Sequence, residues 1–485
     1  MRSWQGLEGG TYCPLTDKNI QAIHETSMRV FSEIGIKVNN RKARDLFSSS
    51  GAHVDHTHNL VKMEPEKVMD LIGKAPRTIR LFGNEPAHTL DVGDKKVYAG
   101  TGGTALYVVD YESGKKREAT LLDLKNSAQV VNSLENIHFF MLPVLPHDVA
   151  KENIDVNRFG IALTYCGKHI MGGVYTVAGV KNVIKMAELI TGSKEKLIDK
   201  PIISMVTCCG ISPFVLDNHY SQLTIEVARA GIPVVTPVEP LCGATAPVTL
   251  AGNLVVQNCD TLAGVLLAQL ANPGAPVFYG CISSISDMKD MKYLCGAVEM
   301  GLMNAAACQL ARFYELPIYA TAGMSDSKCL DAQAGFESAV TNLLVALAGG
   351  NVIHDAAGLL EFCMCASLEK YVIDDEILGM VMRAVQGIKV NDETLAFDLL
   401  KKIGPGGHFV SSRHTRRYMR QEHYMPALCD RSTREEWNKQ GSMGTKERAR
   451  RKVEAILNQP ERPVLEQKIR KRIREEIKGV DHRYI

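Results

Sequence analysis

Polar residues stand where short apolar runs of this chain dissolve. Glu239 follows IPVVTPV, Gly323, Met324, Asp326 and Lys328 follow PIYATA, and His354 lies within NVIHDAAG. Thr101, His147, Tyr175, Thr207, Phe214, Thr245, Ser283 and Asp287 hold comparable positions at other run ends. A carboxylate or imidazole so placed can move a proton, and a lysine can form a Schiff base with a carbonyl substrate. Lys328 has Asp326 and Asp331 as neighbours, which favour its protonated form and work against that second role. Other chemistries find no support. Gly100 to Ala105 reads G-x-G-x-x-A, but the following LYVVD is extended, so no helix N-terminus is offered to a pyrophosphate. No G-K-[ST], H-E-x-x-H or H-x-C string occurs, and the cysteines fall mostly inside apolar runs, so no metal site is expected.

The elements that must position these residues repeat along the chain. Eight apolar, β-branched runs begin at Val97, Ile137, His169, Ile202, Ile232, Pro276, Pro317 and Asn351. Each ends in Gly, Pro or polar residues and is followed by an amphipathic segment, such as 217–230, 294–314 and 331–348. Strands apolar along their whole length are covered on both faces, as in a parallel sheet. Eight consecutive βα units predict a TIM (β/α)8 barrel over residues 96–390, with its active site at the C-terminal ends of the strands. Residues 1–95 read as an N-terminal helical extension packed on the barrel, with Thr16 as a helix cap. Residues 391–485 read as a return loop, KKIGPGGHFVSSRHTRR, followed by a charged helical tail with no chemistry of its own.

Composition narrows the function classes. A chain of 485 residues with 45% hydrophobic and 23% charged residues can bury a large core. Its net charge of +2 lacks the basic excess of a nucleic-acid binder. The 13 cysteines form no framework of C-x-x-C pairs, and the first residues lack the apolar segment of a signal peptide. A cytoplasmic protein without nucleic-acid or membrane partners is expected.

The residues also resemble a known family. YATAGMSDSKCLDAQAGFES from Tyr319, CGATAPVTLAGNLVVQN from Cys242, VFYGCISSISDMK from Val277 and NVIHDAAGLLE from Asn351 are similar to the trimethylamine methyltransferase superfamily. The similarity runs from Thr16 to the C-terminal region. It implies a TIM barrel and transfer of a methyl group from a methylated amine to the cobalt of a separate corrinoid protein. Family members acting on trimethylamine carry pyrrolysine before the S-D-x-K string, where this chain has Met324. The resemblance therefore implies the pyrrolysine-free branch, whose substrates are quaternary amines such as glycine betaine, proline betaine or carnitine. In a quaternary ammonium the departing group is already a neutral tertiary amine, so displacement needs no added activation of nitrogen.

Under that implication the protein holds the cation, excludes water and aims one methyl. The expected catalytic set is His354, Asp326 and Glu239. Tyr98, Tyr175, Phe214 and Tyr279 are the candidate aromatic faces for the ammonium, with Gly323 and Met324 walling the site. His354, His147, Arg312 and His408 are candidates for a betaine carboxylate, and His408 also for a cap facing the corrinoid. No D-x-H-x-x-G corrinoid module is present, so cobalamin is expected on a cognate partner protein, and a homo-oligomer is expected. Two other readings stay open: a lysine-dependent lyase using Lys328, and a barrel that binds a betaine without turnover.

Overall fold

The computed structural model describes residues 6–485. All eight expected runs form strands: β1 (Lys96–Thr101), β2 (Phe139–Met141), β3 (His169–Gly173), β4 (Ile203–Val206), β5 (Val234–Thr236), β6 (Val277–Gly280), β7 (Ile318–Thr321) and β8 (Val352–Ala357). They pair in parallel in chain order, and β8 pairs back onto β1, closing the barrel. The principal helix after each strand is α1 (Leu121–Asn132), α2 (Ile154–Tyr165), α3 (Val177–Thr191), α4 (Asn218–Arg229), α5 (Leu250–Ala271), α6 (Val298–Phe313), α7 (Ala332–Ala348) and α8 (Leu368–Val385). This is the TIM barrel read from the sequence.

Local sequence sets the helix starts. Thr120 and Asp123 form a reciprocal capping box on α1, and Asp217, Asp331 and Ser367 cap α4, α7 and α8 through their side chains. The strands are buried on both faces, as their unbroken apolar runs require. Helix α5 is apolar enough and long enough to cross a membrane, yet 83% of its most apolar window is buried within the protein. Its outer face is covered by the N-terminal helices Asp17–Arg29, Arg41–Ser49 and Pro65–Ile72.

The N-terminal extension is not purely helical, a correction to the sequence reading. Strands Ile36–Val38, His53–Asp55 and Leu60–Lys62 form a small sheet, and Thr78–Leu81 pairs with Leu90–Gly93 as a hairpin. Three or four residues are too few for alternation to register as a period. The hairpin has a clear job. Its Ile79, Leu81, Leu90 and Val92 cluster with Tyr98, Phe139, Met171, Phe278 and Val352, plugging the barrel at the strands' N-terminal end. Each such side chain, fully buried, contributes roughly 1.5–3 kcal/mol. In the C-terminal extension, Thr445–Leu457 packs on α8 and α1, and Gln467–Glu476 packs on α3.

Candidate active site

The strands deliver their C-terminal residues to one mouth, and the last of them is bent to do so. Between Ile353 and Ala357 the register of β8 against β1 slips, and Asp355 takes a left-handed backbone with φ of 59°. This bulge turns Asp355 into the mouth. Its Oδ1 accepts from the Gly103 N–H at 2.9 Å, and its Oδ2 lies 3.0 Å from His354 Nε2. His354 Nδ1 faces the Ala320 carbonyl at 2.8 Å, and the ring stacks on Tyr319 with centroids 3.9 Å apart. Thr321 Oγ1 also lies within hydrogen-bond distance of the imidazole. Both ring nitrogens are thus occupied.

Glu239 stands across from this pair at the end of β5. Its side chain keeps a solvent-facing surface, yet enclosure by the mouth walls pushes its carboxyl up to about 7. Tyr293 donates to it and His354 attracts it, both opposing the rise, while the neighbouring Asp355 adds to it. Cys208, at the end of β4, is also solvent-facing; the surrounding protein pushes its thiol up to about 12, with Cys209 and Glu239 adding. It is a neutral thiol. Burial raises the Tyr293 and Tyr319 hydroxyls well above their usual value, each near Asp355, so both are neutral.

Asp326 acts one step back. Its Oδ1 accepts from the Cys295 N–H at 2.9 Å and lies 3.1 Å from the Cys295 thiol, while its own N–H donates to Glu337. Desolvation raises its carboxyl. It fixes the loop that carries Tyr293 to Glu239. Gly323 has φ of 87°, and a Cβ there would lie 2.6 Å from the Ala356 backbone, so the turn into Met324 accepts no side chain. Met324 itself is fully buried in the main apolar core.

Phe214 and Tyr175 stand on the loops after β4 and β3. Asp260 of α5 accepts the Phe214 N–H at 2.7 Å, which fixes that loop. Tyr175 is half-buried, with its hydroxyl 3.3 Å from the Arg158 guanidinium. Four other candidates are not brought together with this group. The hydroxyl of Tyr98 bonds Asp91 of the plugging hairpin, at the opposite end of the barrel. Tyr279 points outward from β6 and donates to Gln257 and Asn258 of α5, because its neighbour Phe278 takes the inward side. Arg312 ends α6 and donates to the Ala348 carbonyl, again at the closed end. His408 lies exposed in the return segment, which is tied to the last turn of α8 through Arg383 and Glu422, away from the mouth. His147 is exposed on the rim, stacked on Tyr107 at 6.4 Å. Lys328 Nζ donates to the Asp326 carbonyl at 2.7 Å and lies 4.3 Å from the Phe362 ring. Asp355, Tyr293 and Tyr319 were missed by the sequence reading, although Asp355 is a charge in an apolar run directly beside His354.

The mouth therefore gathers Glu239 and Asp355 with Tyr293, while Tyr319 lies beneath His354, stacked on its ring. Such a pit suits a cation that donates no hydrogen bonds. No cluster of three or more His, Cys, Asp or Glu able to hold a metal is present among the described residues.

Comparison with known proteins shows the family of the chain. The family model described as trimethylamine methyltransferase (MTTB) matches residues 2–481. The chain is 35% identical over 478 residues to trimethylamine methyltransferase MttB of Desulfitobacterium hafniense strain DCB-2, covering 99% of this chain and 96% of that protein. It is 33% identical to the glycine betaine methyltransferase of D. hafniense strain Y51, covering 94% and 95% of the two chains. Trimethylamine methyltransferase MttB of Methanosarcina barkeri is 36% identical, covering 94% and 92%. Among solved structures, the hydroxylamine complex of MtmB is similar in fold, with a TM-score of 0.50 and 13% identity, covering 92% of this chain and 95% of that one.

Proposed function

The chain belongs to the trimethylamine methyltransferase family and is a methyltransferase, and from that premise we propose that it demethylates a quaternary amine, delivering the methyl group to a separate corrinoid protein. The observation that carries this reading is Glu239 set close to Asp355 beside the Tyr293 hydroxyl, with a buried Met324 two residues before Asp326. A trimethylammonium group placed there meets two carboxylates and the Tyr293 ring, a cation–aromatic contact contributing roughly 0.5–2 kcal/mol. A tertiary amine, lacking the permanent charge, would need an activating group that Met324 cannot supply.

In this mechanism the cobalamin brought by the partner supplies the nucleophile. The residues of this chain bind, orient and shield. Asp355 and Glu239 hold the ammonium, and the bond from Gly103 N–H to Asp355 and the bond from Tyr293 to Glu239 keep the carboxylates from turning. His354 positions Asp355 rather than touching the methyl group, since both its nitrogens are engaged. The solvent-facing surfaces of Cys208 and Glu239 leave the pit reachable from outside, as delivery to a second protein requires. The same reading includes a cytoplasmic setting and a homo-oligomer, the latter supported by exposed apolar residues after α8, Ile388 and Val390, and on the return segment, Phe397 and Val410. The test is to incubate the enzyme anaerobically with a reduced corrinoid protein and a panel of betaines, following loss of cob(I)alamin absorbance. Loss with a betaine is expected. Absence of loss with every quaternary amine overturns the reading.

A further inference from the structure

The acidic mouth accommodates a quaternary ammonium but leaves open what receives the carboxylate of a betaine. Arg158 of α2 is fully buried, and its guanidinium is directed at neutral acceptors: the carbonyls of Leu142, Val144 and Gly173 and the Tyr175 hydroxyl. Among the described residues no carboxylate lies within ion-pairing distance of it. Asp155, one turn earlier on α2, accepts instead from the N–H groups of Tyr175 and Thr176. A buried cation without an acid is costly, and an anion brought close to it would relieve that cost.

The Tyr175 hydroxyl stands between this charge and an open space. Its oxygen accepts from Arg158 Nη1 at 3.3 Å, and its own hydrogen has no acceptor among the described residues, so it is free to donate. In front of it, a Cβ built on Gly173 would meet only this hydroxyl, at 3.8 Å. That space lies inside the barrel. Gly173 stands two residues beyond Met171 on β3 and pairs with Val206 of β4, and both of those side chains belong to the interior cluster, so Gly173 faces inward with them. Direct contacts lead from there to Asp355. Met141, paired with Met171, accepts the Tyr319 hydroxyl on its sulfur at 3.0 Å, and its methyl lies 2.6 Å from where a Cβ on Gly103 would stand. Tyr319 stacks on His354, and the Gly103 N–H donates to Asp355. Arg158 braces the same segment from the other side, sharing the Leu142 carbonyl with the N–H of Thr104. The Tyr175 hydroxyl and Asp355 thus flank one floor, built by Met171, Met141 and Tyr319. A zwitterion laid across it would put its positive end against Asp355 and its negative end against Tyr175.

We propose that the Tyr175 hydroxyl, backed by the buried Arg158, is the carboxylate anchor of the site and selects betaines over quaternary amines with a neutral end. Tyr175 then serves through its hydroxyl rather than its aromatic face. This rests on the quaternary-amine reading and names the substrate class within it. The test is calorimetric titration of the full-length wild type and Tyr175→Phe with glycine betaine, γ-butyrobetaine and choline, whose hydroxyl replaces the carboxylate. In Tyr175→Phe, which keeps the ring and Arg158, the affinity for at least one betaine relative to choline is expected to fall about tenfold or more. Tyr175 is half-buried, so the variant should melt with the wild type, and a melting curve checks this. Should it melt early, Gly173→Ala reads the same ratio: its methyl enters the open space without meeting backbone, and the ratio is expected to fall about threefold or more. A betaine-to-choline affinity ratio unchanged within about twofold in the folded variant overturns the anchor, as does a wild type that binds neither betaine more tightly than choline. Turnover separates the two claims. Demethylation of choline alone would sink the anchor and leave the quaternary-amine reading standing, whereas a shifted binding ratio with no turnover of any quaternary amine would sink that reading and leave the anchor.

Discussion

Under the proposed function Glu239 sets how strongly the mouth attracts a cation, because its carboxyl, pushed up to about 7, changes charge near neutrality. The charged form is present above that value and lost below it, so affinity for a quaternary ammonium should rise as pH increases from about 6 to about 8. Titration of wild type and Glu239→Gln at the two pH values checks this, and the variant should bind weakly with a flatter profile. A wild-type affinity that ignores pH would show that Glu239 does not face the ligand. Met324 makes a different prediction: it is fully buried in the apolar core, and the proposed function asks only shape of it, so Met324→Leu should keep most activity and cost less than about 1.5 kcal/mol of stability. Near-complete loss of activity in a folded variant would assign the sulfur a specific role. The positions of Glu239 and His354 at the strand ends were legible because each stands where an apolar run ends, whereas Asp326, expected in the catalytic set, is tied to Cys295 and Glu337 one step back. Tyr98 and Tyr279 misled because a run does not say which of its residues face the barrel interior, nor toward which end a long side chain leans. Asp355 was hidden by the bulge, which no period reveals.

The barrel's eight strands and their helices were legible because their apolar runs are long and regularly interrupted, while the plugging hairpin was not, its strands being four residues each. Helix α8 carries the buried Lys370–Asp374 pair behind the β8 bulge. Asp374 accepts from the Gly358 N–H at 2.8 Å and from the Ser338 hydroxyl at 2.9 Å, so it ties α8 to the end of β8 and to α7. Asp374→Ala leaves the Lys370 ammonium buried and unpaired, and denaturant unfolding should show a loss of about 3–5 kcal/mol. A loss within about 0.5 kcal/mol would mean the pair is dispensable to the fold.

Function on this account is a property of the assembled molecule: a closed end plugged by the hairpin, an open end lined by acids and aromatics, and a return segment whose apolar side chains face outward. Phe397 and Val410 are 71% and 79% exposed, too much apolar surface on one segment to leave in water without consequence. Sedimentation of the wild type should show an oligomer, and Phe397→Ser with Val410→Ser should shift it toward smaller species; a monomeric wild type would contradict the role given to this face. The most direct measurement of the central claim compares trimethylamine with quaternary amines as methyl donors to a reduced corrinoid protein, under anaerobic conditions and with product analysis. The account predicts that cob(I)alamin is consumed with a betaine, releasing one equivalent of the corresponding tertiary amine, and that trimethylamine leaves it unchanged. Consumption with trimethylamine as fast as with every quaternary amine tested would contradict it.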